Sequence, residues 1–142
     1  MYFDDSEAPI TVEELADIEA LILLKLPRPL KNMYVIANGG SPNPYVYEDD
    51  QLDTVVASVL PIASSSKQTA VNVYEDLVKS KKIVSSHFFP FAIDGGGDYF
   101  FIDCMSQDGL VHFYRSDSSD VGSPLISLGI GVEEFFRKLK PE

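Results

Sequence analysis

The sequence of 142 residues has a single cysteine, Cys104, and short apolar runs. One cysteine excludes an internal disulfide framework of the kind that stabilises small secreted domains. Apolar runs such as Ala20 to Leu24 are far shorter than the ~20 residues that cross a bilayer. The first residues include Asp4, Asp5 and Glu7, where a secretory signal would carry Lys or Arg before an apolar stretch. These absences predict a cytoplasmic protein without a membrane span.

Positive charge is also scarce. Lys and Arg number 11 against 22 Asp and Glu, so the net charge is −11 with both histidines neutral. Nucleic-acid backbones and anionic membranes are bound through clustered cations, and the sequence therefore predicts neither as a partner. An acidic excess favours solubility and basic protein partners. The length and the 45% hydrophobic content predict one globular domain over residues 1–142.

A first helix is predicted from residue 11. Thr11-Val12-Glu13-Glu14 has the form of a capping box, in which the Glu14 side chain bonds back to the cap. Apolar residues then follow at helical spacing, at Leu15, Ile18, Ile22 and Leu26. Pro27 is expected to end this helix, because proline cannot donate a backbone hydrogen bond.

A second helix is predicted to begin at Pro29, where the missing N–H costs little. One of its faces is apolar, at Leu30, Met33, Tyr34 and Ala37. Gly39 fits the left-handed position that ends a helix. Asn38-Gly39-Gly40 resembles a phosphate loop at first sight, but it follows a helix instead of preceding one. We therefore interpret it as a helix end, followed by a Gly/Pro loop over 40–44.

From residue 45 onward the pattern is mainly that of strands. Strands are expected at 45–47, 54–60, 88–93, 99–105, 110–115 and 125–128. A short middle helix over 72–80 has Asn72 at its cap, and a closing helix covers 131–139. This order predicts an α+β fold with a mainly antiparallel sheet of five to six strands, flanked by two N-terminal helices, a middle helix and a C-terminal helix.

Asp108-Gly109 is the strongest hairpin signal. A two-residue loop places Cys104 opposite Phe113, whereas a loop over 106–109 places it opposite Val111. Since side chains alternate, either register gives one apolar face, which we expect in the core, at Phe100, Ile102, Cys104, Val111 and Phe113. The other face is expected to be half-buried, at Tyr99, Phe101, Asp103, His112 and Tyr114. Cys104 and His112 thus lie on opposite faces, which argues against a nucleophile–base pair.

Asp94-Gly95-Gly96-Gly97-Asp98 has two interpretations. Two carboxylates around a flexible loop could hold a hard cation. The alternative, which we favour, is a tight inter-strand connection whose glycines take positive φ. A zinc site is not predicted, because no Cys or second His stands at ligand spacing to His87 or His112.

Acidic residues gather in two predicted turns. The first group is Glu48, Asp49, Asp50 and Asp53, and the second is Asp117 and Asp120. They are either solvated turns or, together with Asp94 and Asp98, a negative patch that steers a basic partner. The clustered cations are expected in the last turns of helices, where they complement the helix dipole, at Lys79, Lys81, Lys82, Arg137, Lys138 and Lys140.

The most distinctive segment, residues 89–103, reads Phe-Pro-Phe-Ala-Ile-Asp-Gly-Gly-Gly-Asp-Tyr-Phe-Phe-Ile-Asp. Weaker features accompany it at Glu14, Leu15, Ile18, Leu26-Pro27, Tyr34, Asn38-Gly39-Gly40, Gly109, Val111, Phe113 and Val132-Glu133-Glu134-Phe135-Phe136. Together they resemble the SUKH superfamily, from about Thr11 to Leu139. One departure is Gly131, where the family often has Ser before the last helix. The resemblance marks a structural motif at Asn38, Gly39, Gly40, Pro90, Gly95, Gly96, Gly97 and Gly109.

The family includes Smi/Knr-type regulators of fungal cell-wall synthesis and bacterial immunity proteins of toxin–antitoxin pairs. The resemblance implies a non-enzymatic interaction fold with no cofactor and no metal, acting as a monomer or weak homodimer. The expected partner is a basic toxin domain such as a nuclease. One alternative is an intracellular regulatory or scaffold module of the same fold. Another is a small enzyme or ligand-binding protein that uses Asp94, Asp98, Asp103 and His112.

Overall fold

The computed structural model describes residues 1–65, 67–116 and 124–142. Its helices are α1 (Val12–Ile22), α2 (Arg28–Ile36), α3 (Ala70–Val73), which runs directly into a π-helix over Tyr74–Ser80, and α4 (Val132–Lys138). Its strands are β1 (Tyr2–Asp4), β2 (Ser41–Asn43), β3 (Val46–Glu48), β4 (Asp53–Val59), β5 (Phe88–Asp94), β6 (Tyr99–Asp103), β7 (Leu110–Tyr114) and β8 (Leu125–Gly131). The predicted α+β class is confirmed.

Strands β3 to β8 form one antiparallel sheet in which the spatial order equals the chain order. Every strand therefore pairs with its neighbour in sequence, and successive turns lie at alternate ends of the sheet. The β3–β4 turn, the β5–β6 turn and the end of β7 lie at one end of the sheet, and the β6–β7 turn lies at the other. Strand β3 is an edge strand, and Lys140, which follows α4, pairs with Val46 to cover it.

The β6–β7 hairpin differs from both predicted registers. Ile102 lies opposite Val111 and Phe100 opposite Phe113, so the connection spans residues 104–109. Both expected registers were too tight, but each differs from the observed one by an even number of residues. The predicted apolar face is therefore right, except that Cys104 lies in the turn and is half-buried. On the other face Phe101 is fully buried, while its neighbours are half-buried as expected.

The two N-terminal helices end earlier than predicted. The capping box of Thr11 and Glu14 is present, but α1 ends at Ile22 because Leu23 takes a left-handed φ of 58°. The buried Glu19 carboxylate accepts a hydrogen bond from the Leu26 N–H (2.7 Å), which holds the chain after the helix. Helix α2 ends at Ile36 with Ala37 as its cap, so the expected role of Gly39 as a helix end is wrong.

The middle helix begins before its predicted cap. Thr69 is the N-cap, and Asn72 is the third helical residue of a reciprocal box, with Asn72 N–H donating to the Thr69 hydroxyl (3.0 Å). Asn72 and Glu75 have the spacing of a capping box, as Thr69 and Asn72 also do, and the structure uses the earlier pair. The small β1–β2 sheet was not predicted at all, and the residues of β2 were expected to be loop.

The core is an aromatic cluster between the sheet and α4. Phe135 of α4 packs on Phe100 at 5.1 Å and stacks on Tyr47 at 5.2 Å between ring centroids. Phe91 completes the group through an edge-on contact with Phe135. All four rings are fully buried. This packing fixes α4 and the strands that carry the acidic turns relative to one another.

Candidate partner-binding surface

The β3–β4 turn, the β5–β6 turn and the residues just after β7 come together at one end of the six-stranded sheet. Thr54, at the start of β4, donates its hydroxyl to the Asp94 carboxylate (2.9 Å), and Arg115 beyond β7 donates to the Gln51 carbonyl (2.9 Å). The Ser116 hydroxyl donates to Asp98. We call the acidic residues of these turns the acidic sheet end, which consists of Glu48, Asp49, Asp50, Asp53, Asp94 and Asp98. The second predicted acidic group, Asp117 and Asp120, lies outside the described residues.

Glu48 and Asp53 are directly opposite one another on β3 and β4, and both are exposed. Like charges in this position repel, which destabilises the strand pair. Lys140 offsets the repulsion, since its ammonium forms an ion pair with Glu48. Glu48, and more weakly Asp53, raise the pKa of Lys140 above its ordinary value. The expected position of Lys140 in the last turn of a helix is wrong, because α4 ends at Lys138.

Asp49 organises the β3–β4 turn. Its carboxylate accepts hydrogen bonds from the Gln51 N–H (2.7 Å), the Leu52 N–H (2.9 Å) and the Tyr47 hydroxyl. Burial disfavours the charged form, but these hydrogen bonds and the charge of Lys138 outweigh it, so the pKa of Asp49 is lowered. Asp50, at the tip of the turn, is exposed. The hydrogen bonds of Asp49 therefore hold the turn in place, and the Asp50 carboxylate beside it is exposed to solvent.

Asp94 organises the β5–β6 turn in a similar way. It is 8% exposed, and its Oδ1 accepts from the N–H groups of Gly96 (3.0 Å) and Asp98 (2.8 Å). Only Gly97 of the three glycines takes a positive φ, at +92°. Gly95 is required for a different reason, since a Cβ there would lie 2.7 Å from the Val55 side chain. The turn has the hydrogen bonding of a tight connection, and among the described residues no group of three or more His, Cys, Asp or Glu could hold a metal ion.

Asn38 and the glycines after it join the N-terminal segment to the sheet. The Asn38 amide, 3% exposed, donates to the Ala8 and Ala63 carbonyls and accepts from the Ile62 N–H, each at 2.9 Å. Gly39 (φ +78°) lies so close to Pro61 that a Cβ would stand 2.6 Å from its nitrogen. This motif connects backbone segments and offers no anion site.

The side chains proposed for an alternative catalytic site do not come together. Asp94 and Asp98 lie before β6 and Asp103 at its far end, so five residue steps, or about 16 Å along the strand, separate Asp98 from Asp103. His112 lies opposite Phe101, and it is His87 that approaches Asp103, at 4.0 Å. Burial, with lesser contributions from Asp103 and Glu19, raises the pKa of Cys104 to about 12. A thiol in that state is a poor nucleophile.

One surface feature was not predicted from the sequence. An apolar groove of about 700 Å³ lies between β1, α2 and α4. Its signals in the sequence are weak: Ile36 lies off the apolar face of α2, and Met1 and Tyr2 precede the first predicted helix. Because β1 was not expected, nothing indicated that these residues share a surface.

Comparison with known families finds a match over residues 9–137 to the SMI1 / KNR4 family (SUKH-1). Comparisons with curated proteins and with solved structures find no match. No described helix has the length and apolar character needed to cross a bilayer.

Proposed function

The chain belongs to the SMI1 / KNR4 family (SUKH-1), and on that premise we propose that it is a non-enzymatic protein-binding domain of the immunity type. It neutralises a basic toxin domain by direct contact and uses no cofactor. The family includes immunity and regulatory modules, so the premise supports the general class of function. The finer proposal depends on the geometry of the acidic sheet end.

The observation that carries the proposal is an exposed group of carboxylates on turns that the fold holds in place. Glu48, Asp50 and Asp53 are exposed, whereas Asp49 and Asp94 use their oxygens to fix the two turns. Side chains presented on a rigid frame lose little conformational entropy on binding. In this proposal the exposed carboxylates contact the toxin, and Asp49, Asp94 and Asp98 position them.

Charge complementarity raises the rate at which such a complex forms. A negative patch on a chain of net charge −11 attracts a basic domain over several ångströms and raises the association rate, particularly at low salt. Neutralisation then requires only that the bound chain cover the toxin's substrate site, with no bond made or broken.

The test is an association-rate measurement with a purified basic toxin domain encoded beside the gene for this chain. The double variant Asp50→Asn/Asp53→Asn removes two charges from the acidic sheet end. Glu13→Gln/Asp17→Asn removes two exposed charges from α1 and is the matched control. We expect the association rate to fall about tenfold in the first variant and to change little in the second.

Equal association rates for the two variants would contradict the acidic sheet end as the binding surface. Absence of binding to that toxin domain would contradict the immunity function, and a gene neighbourhood without a toxin gene would favour the regulatory module. Co-expression of the chain with the toxin domain adds a second measurement, since an immunity protein must restore growth.

A further inference from the structure

The apolar groove between β1, α2 and α4 has a floor made of packed rings and a rim of exposed apolar side chains. Phe3 of β1 packs edge-on against Phe136 of α4 at 5.7 Å between centroids, and Met33 of α2 closes the floor. On the rim Ile36 is 81% exposed, Met1 58% and Tyr2 57%. Large apolar side chains that gather at one concave place mark an interaction site, whereas scattered ones do not.

The groove opens at one end into an acidic mouth. A smaller cleft of about 230 Å³ shares Pro29, Glu133 and Arg137 with the groove and adds Asp108 and Glu134. The described residues that line this cleft include three carboxylates and one cation, a net charge of −2. Arg137 is already bound, because it donates to Glu134 (3.1 Å) and Glu133 (3.4 Å). The mouth therefore retains negative charge next to the apolar floor.

This combination defines what fits the groove. An apolar floor takes apolar anchor side chains, and a negative mouth at one end takes cations that follow them. An amphipathic helix presents anchors at i, i+3, i+4 and i+7 on one face and can carry lysines beyond them. Two flanking helices, α2 and α4, give such a helix packing surfaces on either side.

We propose that this groove docks an amphipathic helical segment of a partner protein whose apolar face ends in Lys or Arg residues. The groove is distinct from the acidic sheet end. Asp108, in its mouth, belongs to the β6–β7 turn, which lies at the opposite end of the sheet. The proposal therefore does not depend on the toxin-binding surface, and the two can fail separately.

The test uses synthetic 18-residue peptides and the full chain. One peptide has leucines at helical spacing followed by three lysines, a second has three glutamates in their place, and a third has the first composition in scrambled order. Fluorescence anisotropy measures affinity, and NMR locates the contact from the signals of Met1, Met33 and Ile36. We expect the lysine peptide to bind at least about tenfold more tightly than the other two.

Two matched pairs of variants separate groove binding from attraction to an acidic protein in general. Ile36→Ser removes an exposed apolar side chain (81%) at the end of α2, and Leu21→Ser removes a similarly exposed leucine (73%) near the end of α1. Glu134→Gln removes a charge from the first turn of α4, and Glu13→Gln removes one from the first turn of α1. We expect a loss of about fivefold or more for Ile36→Ser and Glu134→Gln only.

Three outcomes would overturn the proposal. The first is equal binding of all peptides, and the second is equal loss in each groove variant and its control. The third is self-association: if sedimentation shows a dimer that Ile36→Ser dissociates, the groove is covered by a second copy of the chain. NMR signal shifts confined to the acidic sheet end would also contradict the proposal, because they would place the bound peptide outside the groove.

Discussion

At the scale of single residues, the acidic side chains divide into those that hold the turns and those that are free. Asp49 and Asp94 each accept hydrogen bonds from backbone N–H groups two to four residues ahead. Asp50 and Asp53 are exposed beside them. The composition alone counts all four as equal charges. Only the local hydrogen bonding separates structural carboxylates from candidates for contact with a partner.

The lowered pKa of Asp49 predicts a pH-dependent contribution to stability. A carboxylate with a lowered folded-state pKa stabilises the fold above its unfolded pKa of about 3.9, and this stabilisation is lost as pH falls through the folded value. We expect Asp49→Asn to lower the free energy of unfolding by about 1 kcal/mol at pH 7 and by less at pH 3. Urea unfolding at both pH values measures this. Asp50→Asn reports the effect of the charge without the turn, and an Asp49→Asn deficit that stays constant with pH would contradict the prediction.

Cys104 should be nearly inert in the folded chain. Since burial and the nearby Asp103 and Glu19 raise its pKa to about 12, little thiolate exists at pH 8. We expect a chromogenic disulfide reagent to label it at least about a hundredfold more slowly in buffer than in urea. Stoichiometric labelling of the folded protein at the unfolded rate would show that the thiol is accessible and ionised.

At the scale of elements, α4 begins without a capping side chain because its start is pressed against a neighbouring turn. Gly131 is the N-cap, and a Cβ there would stand 2.7 Å from the Asp108 carbonyl oxygen. The same carbonyl accepts a hydrogen bond from the Val132 N–H (3.3 Å). The carbonyl of the β6–β7 turn thus takes the place of a capping side chain, and the close approach requires glycine.

This arrangement predicts that Gly131→Ser destabilises the protein although serine is a good N-cap. The new Cβ must push the Asp108 backbone away, which costs about 1–3 kcal/mol. The control is Gly96→Ala, where φ is not positive and the nearest atom to the new Cβ is Asp94 Oδ1 at 3.6 Å; we expect a change within about 0.5 kcal/mol there. Thermal and urea unfolding of both variants test this close contact. Equal destabilisation by the two substitutions, or a larger effect of Gly96→Ala, would contradict it.

The sequence predicted the class of the fold and the faces of its strands better than their ends. Alternation fixes which face a side chain takes, so Phe100, Ile102, Val111 and Phe113 were placed in the core although both predicted registers were wrong. Loop length depends on hydrogen bonds within the turn that the alternation of side chains does not encode. Here the Ser106 hydroxyl, accepting from the Leu110 N–H (2.7 Å), stabilises the wider 104–109 turn.

The surfaces were predicted less completely than the core. Asp50 and Asp53 could be proposed from sequence because they gather in one turn, whereas the groove is assembled from β1, α2 and α4, which are far apart in the chain. Lys140 was placed in a helix because its neighbours are helical. Its pairing with Val46 depends on the position of an edge strand that sequence alone could not locate.

At the scale of the whole molecule, the net charge of −11 acts on stability as well as on binding. Carboxylates repel one another across the surface, and salt screens this repulsion. We expect the urea midpoint to rise between about 0.05 M and about 0.5 M NaCl. The double variant Asp17→Lys/Asp50→Lys changes two exposed acids to bases, so the net charge changes from −11 to −7. Because self-repulsion scales as the square of the net charge, the rise of the urea midpoint with salt should fall to about 40% of its value in the unchanged chain.

The control for this experiment is the variant Asp17→Asn/Asp50→Asn, whose net charge is −9 and whose response should fall between the other two. A midpoint that does not change with salt, or a salt response unaffected by the variants, would mean that local ion pairs such as Lys140–Glu48 govern the electrostatics and the net charge does not.

Strand order follows chain order in the six-stranded sheet, so contacts between neighbouring strands and contacts of the chain ends differ in sequence separation. Four residues separate β3 from β4 and β5 from β6, and six separate β6 from β7, so these strands can pair by closing short loops at little cost in chain entropy. Strands β4 and β5 are joined by the longer segment 60–87, which contains α3 and the π-helix. The N-terminal and C-terminal segments must instead close long loops, since Tyr2 meets Asn43 across 41 residues and Lys140 meets Glu48 across 92. The β3–β4 hairpin and the β5–β6–β7 unit can therefore form from short-range contacts, while the groove and the covered edge of β3 form only when the two ends of the chain dock on the sheet.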